Sequence, residues 1–450
     1  MSRLKLSTTS WTTQTAFIMA ATGSAVGLGN LWKFPYITGE NGGGAFVLVY
    51  LLCVLLIGLP VLIAEITLGR RGGANPPQAL SNLAKESKAS KWWWLLGLNG
   101  LLAGCLILSF YTVIAGWGVA YFFESLSGDF INISAKSVST NFSSLIANPW
   151  QLAFWHTVAM LITVYIVSKG VKGGLEKAVN IMMPGLFIIL LILLGYAAST
   201  DAFAESFHFL FYPDFSKLTW QGVLVAMGHA FFTLSVGMGT MMVYGSYLSK
   251  DYSIPRAGLW IALIDTLVAL IAGLVIFSVV FANHLHAGSG PGLLFQTLPV
   301  AFGKMSGGWF FGTLFFALVV LAALSSAISL IEPAASWLEQ NWGIKRLKAT
   351  VILGLLTWVL GLGTVLSFNE WKSVHFIGDR TLFDSLDFLT TNIMLPLGGL
   401  LMAVFVAWVM TQQQRDDEME MPSPWKDFYR NVLKFITPTA ILIVFIYNLL

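Results

Sequence analysis

Eleven stretches of about twenty mostly apolar residues follow one another along the chain, and they restrict its fold more than any other feature. Each is long enough to cross the hydrocarbon layer of a bilayer as an α-helix. The 450 residues are 56% hydrophobic and 10% charged, more apolar surface than a soluble core buries. The sequence therefore predicts an all-α, polytopic membrane protein, with spans near 14–36, 44–68, 94–123, 151–168, 178–198, 219–247, 258–282, 308–339, 350–367, 384–410 and 430–449.

The distribution of Lys and Arg orients these spans. With the N-terminus in the cytoplasm, nineteen of the 25 cationic residues fall on the cytoplasmic side and six fall outside, as the positive-inside rule requires. Eleven spans then place the C-terminus outside, in a multi-pass protein of the cell inner (plasma) membrane. No removable signal peptide is indicated at the N-terminus. A net charge of +3 without a basic cluster argues against a nucleic-acid partner.

Two glycine-rich motifs suggest an internal repeat. SAVGLG (24–29) lies in the middle of span 1, and LSVGMG (234–239) lies in the middle of span 6. Because five spans separate the motifs, equivalent halves have opposite topology, as in transporters with inverted repeats and discontinuous helices. Such glycines also allow close helix packing, which is the alternative. We expect a first repeat over 1–198, an inverted repeat over 199–410, and a loop with a last, detachable span over 411–450.

Longer motifs make the chain similar to a known family. GSAVGLGNLWKFPYITGENGGGAF (23–46) strongly resembles the first-helix signature of the neurotransmitter:sodium symporters. FFTLSVGMG (231–239), SYLSKD (246–251) and ALSSAIS (323–329) resemble parts of the family's sixth and eighth helices. The resemblance implies a 5+5 inverted-repeat fold with discontinuous helices 1 and 6, here with an eleventh helix instead of the usual twelve. It also implies a bacterial, sodium-driven carrier of amino acids.

The resemblance implies two Na⁺ sites made of oxygen donors. The first consists of the carbonyl of Ala25, the side chains of Asn30, Thr233 and Asp265, and the carboxylate of the substrate. The second consists of the carbonyls of Gly23, Val26 and Ala322 with the hydroxyls of Ser325 and Ser326. Without the family, a serine pair in an apolar helix more often bonds its own backbone.

The resemblance also implies a substrate pocket. Amides at Leu28 and Gly29 and the Tyr111 hydroxyl would face a carboxylate, and nearby carbonyls would accept from an ammonium group. The expected lining is Ser24, Ala25, Leu28, Gly29, Ile107, Tyr111, Phe232, Thr233, Ser235, Met238, Ser326 and Leu330.

At several positions this chain differs from other members of the family, and these differences narrow the expected substrate and ions. Monoamine carriers have an Asp where this chain has Gly27, so the substrate should bring its own carboxylate. The apolar lining then favours a neutral, apolar or aromatic L-amino acid. Asp265 is a carboxylate inside an apolar span; we expect it to bind sodium and to replace the chloride that other members need. A lone His229 stands nearby, where relatives often have Gln, and could titrate with it.

The gates are expected at both ends of the transport path. Lys33 and Asp387 match an outer gate pair, although relatives usually have Arg in place of the Lys. On the inner side Trp11 is retained, but Thr8 and Gln340 replace the usual Arg and Asp, with Arg3, Lys5 and Glu339 as nearby substitutes. Gly174 and Pro184 form a Gly-x9-Pro segment, which the family reading interprets as unwinding to admit water; a plain kink is the alternative.

Two other classes of function compete with a symporter. A sodium-dependent amino-acid sensor or a channel on the same fold would lack accumulation against a gradient. An enzyme is not indicated, because the sequence contains no nucleophile elbow, Walker motif or zinc-protease motif. The sequence predicts an amino acid, as a small-molecule substrate, and the lipid bilayer as partners, and it leaves the oligomeric state open.

Overall fold

The computed structural model describes residues 10–285, 292–419 and 421–449, and these residues are almost entirely helical. Within these ranges, nine continuous helices are long and apolar enough to cross a membrane. Two interrupted helices bring the number of spans to the expected eleven. The continuous spans are 2 (Gly44–Gly72), 3 (Lys91–Ser127), 4 (Pro149–Ser168), 5 (Val171–Ala198), 7 (Ile254–Ala282), 8 (Gly308–Trp342), 9 (Arg346–Ser367), 10 (Leu382–Val409) and 11 (Pro424–Tyr447).

The two interrupted helices are spans 1 and 6, as the repeated motif predicts. Span 1 consists of Gln14–Ala25 followed by Gly29–Lys33 and Phe34–Glu40. Span 6 consists of Trp220–Thr233 and Thr240–Ser246. The breaks fall inside SAVGLG and LSVGMG, so the prediction of discontinuous helices is confirmed. The division of the chain into two repeats stays a prediction.

Glycine permits the break in span 6. Gly237 and Gly239 have φ values of 89° and 80°, in the left-handed region that L side chains rarely adopt. A Cβ on Gly237 would also lie 2.5 Å from the Leu395 carbonyl oxygen of span 10. Ser235, two residues before Gly237, adopts φ 52° without the freedom of glycine, so the surrounding spans hold this backbone in place.

Short helices connect the spans. They lie at Pro76–Glu86, Ala135–Ala147, Phe203–Phe211, Leu298–Lys304 and Gln412–Asp416. The interrupted spans pack with spans 3, 7 and 8, whose middle residues are mostly buried. Exposed apolar side chains lie along spans 4, 5, 9 and 11, including Leu161, Ile188, Leu356 and Ile446. Such surfaces require a lipid environment.

The last span is hydrogen-bonded to the rest of the protein, and whether it is detachable stays a prediction. The Tyr429 and Thr437 hydroxyls donate to the carbonyls of Pro60 (3.2 Å) and Leu56 (2.9 Å) in span 2. The preceding loop is fixed by Arg70, whose Nε lies 2.7 Å from Glu418 Oε2. This long-range ion pair could not be read from the charges of the loop alone.

We expect Glu418→Ala to destabilise the protein strongly. The Arg70 and Glu418 side chains are only 5% and 2% exposed, so removing the acid leaves a buried guanidinium without its partner. Such a loss costs about 3–5 kcal/mol. Thermal denaturation in detergent measures the effect.

Asp417→Ala is the matched control. Asp417 lies 3.3 Å from Arg71, but its side chain is 52% exposed, and an exposed pair contributes about 0–1 kcal/mol. Equal melting temperatures for the two variants would contradict a structural role for the buried pair.

Candidate substrate and sodium site

A small cavity lies where the breaks in spans 1 and 6 meet spans 3 and 8. Its volume is about 30 Å³, which is room for about two water molecules. All twelve expected pocket residues line it, together with Gly27. The structure thus brings the predicted set together, although the cavity must widen before it can hold an amino acid.

The polar groups of the cavity are backbone atoms and hydroxyls. The Leu28 N–H donates to the Tyr111 hydroxyl oxygen at 3.4 Å. The hydroxyls of Ser235 and Ser326 donate to the Ser24 carbonyl at 2.9 and 3.2 Å. Ser24 and Thr233 add two more hydroxyls, the other lining residues are apolar or glycine, and no charged side chain lines the cavity.

Gly27 cannot carry a side chain without displacing its neighbours. A Cβ at this position would lie 2.5 Å from the Ser326 Oγ and 3.0 Å from the Tyr111 oxygen. In this arrangement, position 27 has no room for a side chain, and therefore none for an acidic one.

The expected first sodium set also comes together. Asn30 Nδ2 donates to Asp265 Oδ1 at 2.8 Å, and the Thr233 hydroxyl donates to Asp265 Oδ2 at 3.0 Å. Asp265 is fully buried and forms no ion pair with any cation among the described residues. Because an uncompensated buried charge is costly, the Asp265 carboxylate and the Thr233 hydroxyl oxygen fit a bound cation, whereas Asn30 turns its amide nitrogen toward Asp265 and its oxygen toward the Gly27 amide.

The expected second sodium set lies between spans 1 and 8. The Ser325 hydroxyl donates to the Ala322 carbonyl at 3.0 Å and lies 3.5 Å from the Val26 carbonyl oxygen. Ser326 Oγ lies 3.3 Å from the same oxygen of Val26. A Cβ on Gly23 would lie 3.5 Å from the Ser325 Cβ, so the five predicted residues are neighbours, and the role of the Gly23 carbonyl stays a prediction.

The outer side of the site is covered by a single layer of side chains. Tyr111 and Phe232 line both the small cavity and an outer cavity of about 440 Å³. The predicted gate residues Lys33 and Asp387 line this outer cavity as well. Lys33 forms no ion pair with a described residue; its Nζ lies 4.8 Å from the centre of the Phe232 ring. The outer gate pair therefore stays a prediction.

The inner side is closed by packed aromatic residues. Trp11 is buried, its Nε1 donates to the Tyr244 carbonyl at 2.9 Å, and its backbone N–H donates to the Tyr247 carbonyl at 3.2 Å. The Trp11 ring contacts the Phe17, Tyr244 and Tyr247 rings edge-on. This residue thus lies where the sequence places an inner gate.

A buried ion pair strengthens this closure, and sequence reasoning missed it. Glu332 in span 8 is fully buried, pairs with Arg346 and accepts a hydrogen bond from the Tyr247 hydroxyl at 3.1 Å. Glu339, one of the expected substitutes, lies 3.5 Å from Arg346. Gln340 instead accepts from the Asn75 side chain at 2.9 Å. Thr8, Arg3 and Lys5 lie outside the described residues.

The Gly-x9-Pro segment is helical in this structure. Gly174 lies in a π-helical stretch, Val171–Glu176, and Pro184 lies inside the helix Lys177–Ala198. The neighbouring Met183 would be 3.1 Å from a Cβ on Gly23, so the segment touches the predicted second sodium set. Its unwinding stays a prediction.

His229 lies beside the site rather than in it. Its ring stacks near the Phe34 and Tyr50 rings, with centroids 5.9 and 5.4 Å away. Neither ring nitrogen has a hydrogen-bond partner among the described residues. It also lines a cavity of about 480 Å³ between spans 1, 6, 10 and 11. A role with Asp265 stays a prediction.

The comparisons with known proteins agree with this geometry. Residues 8–131 and 127–450 match the model of the sodium:neurotransmitter symporter family. The chain belongs to this family. It is a sodium-dependent transporter, and it is not an enzyme. The family expected from the sequence is therefore confirmed.

Similar proteins cover nearly the whole chain. The uncharacterized sodium-dependent transporter YhdH of Bacillus subtilis is 38% identical, over 97% of this chain and 96% of the relative. A Haemophilus influenzae protein described in the same way is 33% identical, over 98% of both chains. The crystal structure of MhsT in complex with L-phenylalanine aligns with a TM-score of 0.90 and 42% identity, over 98% of this chain and 99% of MhsT. The predicted fold is thereby confirmed.

Glu65 in span 2 is a second residue of this symporter that sequence reasoning missed. It is fully buried, and its two oxygens accept from the backbone N–H groups of Gly237 (2.8 Å) and Met241 (3.1 Å). It thus satisfies amides that the break in span 6 leaves without helical partners. The sequence did contain a signal for Glu65, because a carboxylate inside an apolar span is a functional candidate.

We expect Glu65→Gln to weaken sodium-dependent ligand binding by roughly 10- to 100-fold, because one of the two amides would face an NH₂ group instead of an oxygen. Isothermal titration with L-phenylalanine in sodium buffer measures the affinity. Glu205→Gln is the control, since it removes an exposed carboxylate from the short helix Phe203–Phe211, away from the break. Unchanged affinity in Glu65→Gln would show that the break does not depend on this carboxylate.

Proposed function

We propose that the protein is a sodium-coupled symporter that imports a neutral, apolar or aromatic L-amino acid by alternating access. The observation that carries the proposal is the buried carboxylate of Asp265, which is bonded only to neutral groups beside the two helix breaks. A carboxylate in this setting calls for a cation. A sodium ion then balances the charge of Asp265, and it is transported with the substrate.

The lining of the small cavity supports an amino acid with an apolar side chain. Gly27 leaves no room for an acidic side chain, so the carboxylate expected near the Leu28 and Gly29 amides comes from the substrate. Ile107, Met238 and Leu330 would contact the side chain of the substrate, and the flexible Met adapts to different sizes. The L-phenylalanine in MhsT, a close structural relative, supports the same class of substrate.

Two sodium ions are proposed, one in each set of donors. Ala25 and Thr233 belong to the first set and to the substrate pocket, and Ser326 belongs to the second set and to the pocket. Because the sets share residues, sodium should raise the affinity for the substrate, and the substrate should raise the affinity for sodium by the same factor.

The arrangement of cavities supports alternating access. One layer, Tyr111 and Phe232, separates the small cavity from the outer cavity, whereas Trp11 and the Glu332–Arg346 pair close the inner side. We propose that Lys33 and Asp387 approach each other when the outer side closes. Span 5 then unwinds between Gly174 and Pro184 and admits water beside Met183 to the second sodium set.

Uptake into proteoliposomes tests the proposal. We expect accumulation of labelled L-phenylalanine and L-leucine only with an inward sodium gradient, and none of L-glutamate, whose charged side chain would lose its hydration in the apolar lining. Vesicles with equal sodium on both sides are the control. Sodium-dependent binding without accumulation would support a sensor, and downhill flux alone would support a channel.

Chloride dependence tests the role that we propose for Asp265. Wild-type uptake should be equal in chloride and gluconate, because a fixed negative charge already lies at the sodium site. In Asp265→Asn the apparent sodium affinity should fall about 10-fold or more, and uptake should become faster in chloride than in gluconate.

The double variant Asp265→Asn/Ala269→Glu is the matched control. Ala269 lies one helical turn further along span 7 and is fully buried, so a Glu there returns a negative charge to the region. The double variant should restore equal rates of uptake in chloride and in gluconate. Wild-type uptake that vanishes in gluconate would contradict the proposed role.

A further inference from the structure

A small cleft lies between the end of span 10 and the start of span 11, on the side that the charge distribution assigns to the cytoplasm. Arg415, Lys426 and Arg430 line it. Lys426, Arg430 and Lys434 follow one another at intervals of four residues, so they form one stripe along the helix.

The charges of this cleft do not cancel. Lys426 Nζ lies 3.3 Å from Asp416, and Arg430 Nη2 lies 2.9 Å from Asp427. Arg415 and the neighbouring Lys434 form no ion pair with a described residue. Two acids are therefore paired with only two of the four cations in this region. Both ion pairs are partly solvated, and such pairs contribute little, so an anion of higher charge density can displace the carboxylates.

Arg415 is held in place by the protein. Its Nη1 donates to the carbonyls of Val406, Ala407 and Met410 at 3.0, 3.3 and 2.5 Å, which are the last carbonyls of span 10. These bonds occupy Nη1 and leave the charge of the guanidinium beside the cleft. The cation is therefore positioned before any ligand arrives, which lowers the entropic cost of binding.

The surroundings of the cleft are typical of a membrane interface. The exposed aromatic residues Trp408, Trp425, Phe428 and Phe435 lie around it. The Nζ of Lys434 lies 4.4 Å from the centre of the Trp408 ring and 5.4 Å from that of Phe435. Aromatic rings with neighbouring lysines occur at the level of lipid headgroups, so a ligand here meets apolar surface as well as positive charge.

We propose that this cleft binds an anionic phospholipid. Lys426 and Arg430 contact the headgroup phosphate, and the acyl chains lie against Trp408 and Phe435. Basic clefts at the cytoplasmic end of spans suit such headgroups. The lipid holds the start of span 11 against span 10, next to the loop that Arg70 and Glu418 fix. A free phosphate would satisfy the cations but not the aromatic surface.

Lipid binding to the full chain tests this proposal. Native mass spectrometry counts the retained 1-palmitoyl-2-oleoyl-phosphatidylglycerol (POPG) molecules, and melting temperatures are compared in nanodiscs of the zwitterionic choline lipid (POPC) with and without POPG. The site variant is Lys426→Gln/Arg430→Gln. The control variant is Lys345→Gln/Lys348→Gln, which removes two exposed cations, one just before span 9 and one in its first turn. A further arm adds inorganic phosphate to POPC nanodiscs.

We expect POPG to raise the melting temperature of the wild type and of the control variant, but not that of the site variant. The affinity for the most tightly retained POPG should fall about 30-fold in the site variant. If that variant does not fold, Lys434→Gln should still weaken POPG retention relative to the control. Equal POPG effects in the site and control variants would mean diffuse surface attraction and overturn the proposal. Equal stabilisation by inorganic phosphate would identify a free-anion site and overturn the lipid assignment.

Discussion

The backbone that spans 1 and 6 leave unpaired in the middle of the membrane is the constraint on which the rest of the structure depends. Lipid offers no hydrogen bonds, so every free amide and carbonyl there must find a partner within the protein or a ligand. Glu65 accepts from two amides of span 6, Asn30 Oδ1 accepts from the Gly27 amide at 3.0 Å, and Tyr111 accepts from the Leu28 amide. These amides thus have partners within the protein, whereas the Ser24 and Val26 carbonyls have only serine hydroxyls beside them.

This asymmetry explains why the site suits a cation. The Val26 carbonyl oxygen has the Ser325 and Ser326 hydroxyls beside it, at 3.5 and 3.3 Å. These are weak contacts that a cation can replace with stronger ones. Asp265 adds a full negative charge without a basic partner in the described part of the chain. Carbonyls, hydroxyls and a carboxylate together form a donor set for a hard cation, and residues shared with the cavity link that cation to the substrate.

The sequence revealed the breaks because their cause is local. Two Val-Gly-x-Gly motifs in long apolar spans are visible without any partner, and the structure breaks both helices there. The cavity residues came from the family resemblance, since Ile107 and Leu330 have no local signal that sets them apart from ordinary core residues. Glu65 and Glu332 are intramembrane acids that sequence reasoning passed over, and their roles depend on Gly237 and Arg346, which only the folded chain brings near. The ion pair between Arg70 and Glu418 joins residues 348 positions apart, and it turns a polar loop into an anchor for span 11.

The two sides of the site differ in what must change for it to open. Outward, the side chains of Tyr111 and Phe232 form one layer, so opening there requires a change of side-chain rotamers and not the displacement of a helix. Inward, the first half of span 1 must leave its place, because Trp11 is bonded to the backbone of Tyr244 and Tyr247. Gly23 lies on that same half-helix, between Ser325 of the second sodium set and Met183 of span 5. On the proposed function, a cation between spans 1 and 8 would hold the inner side shut, and its loss would loosen the half-helix that carries Trp11. The direction of transport would then follow from where sodium is scarce, since inner opening would become easier only after the proposed second sodium set is empty.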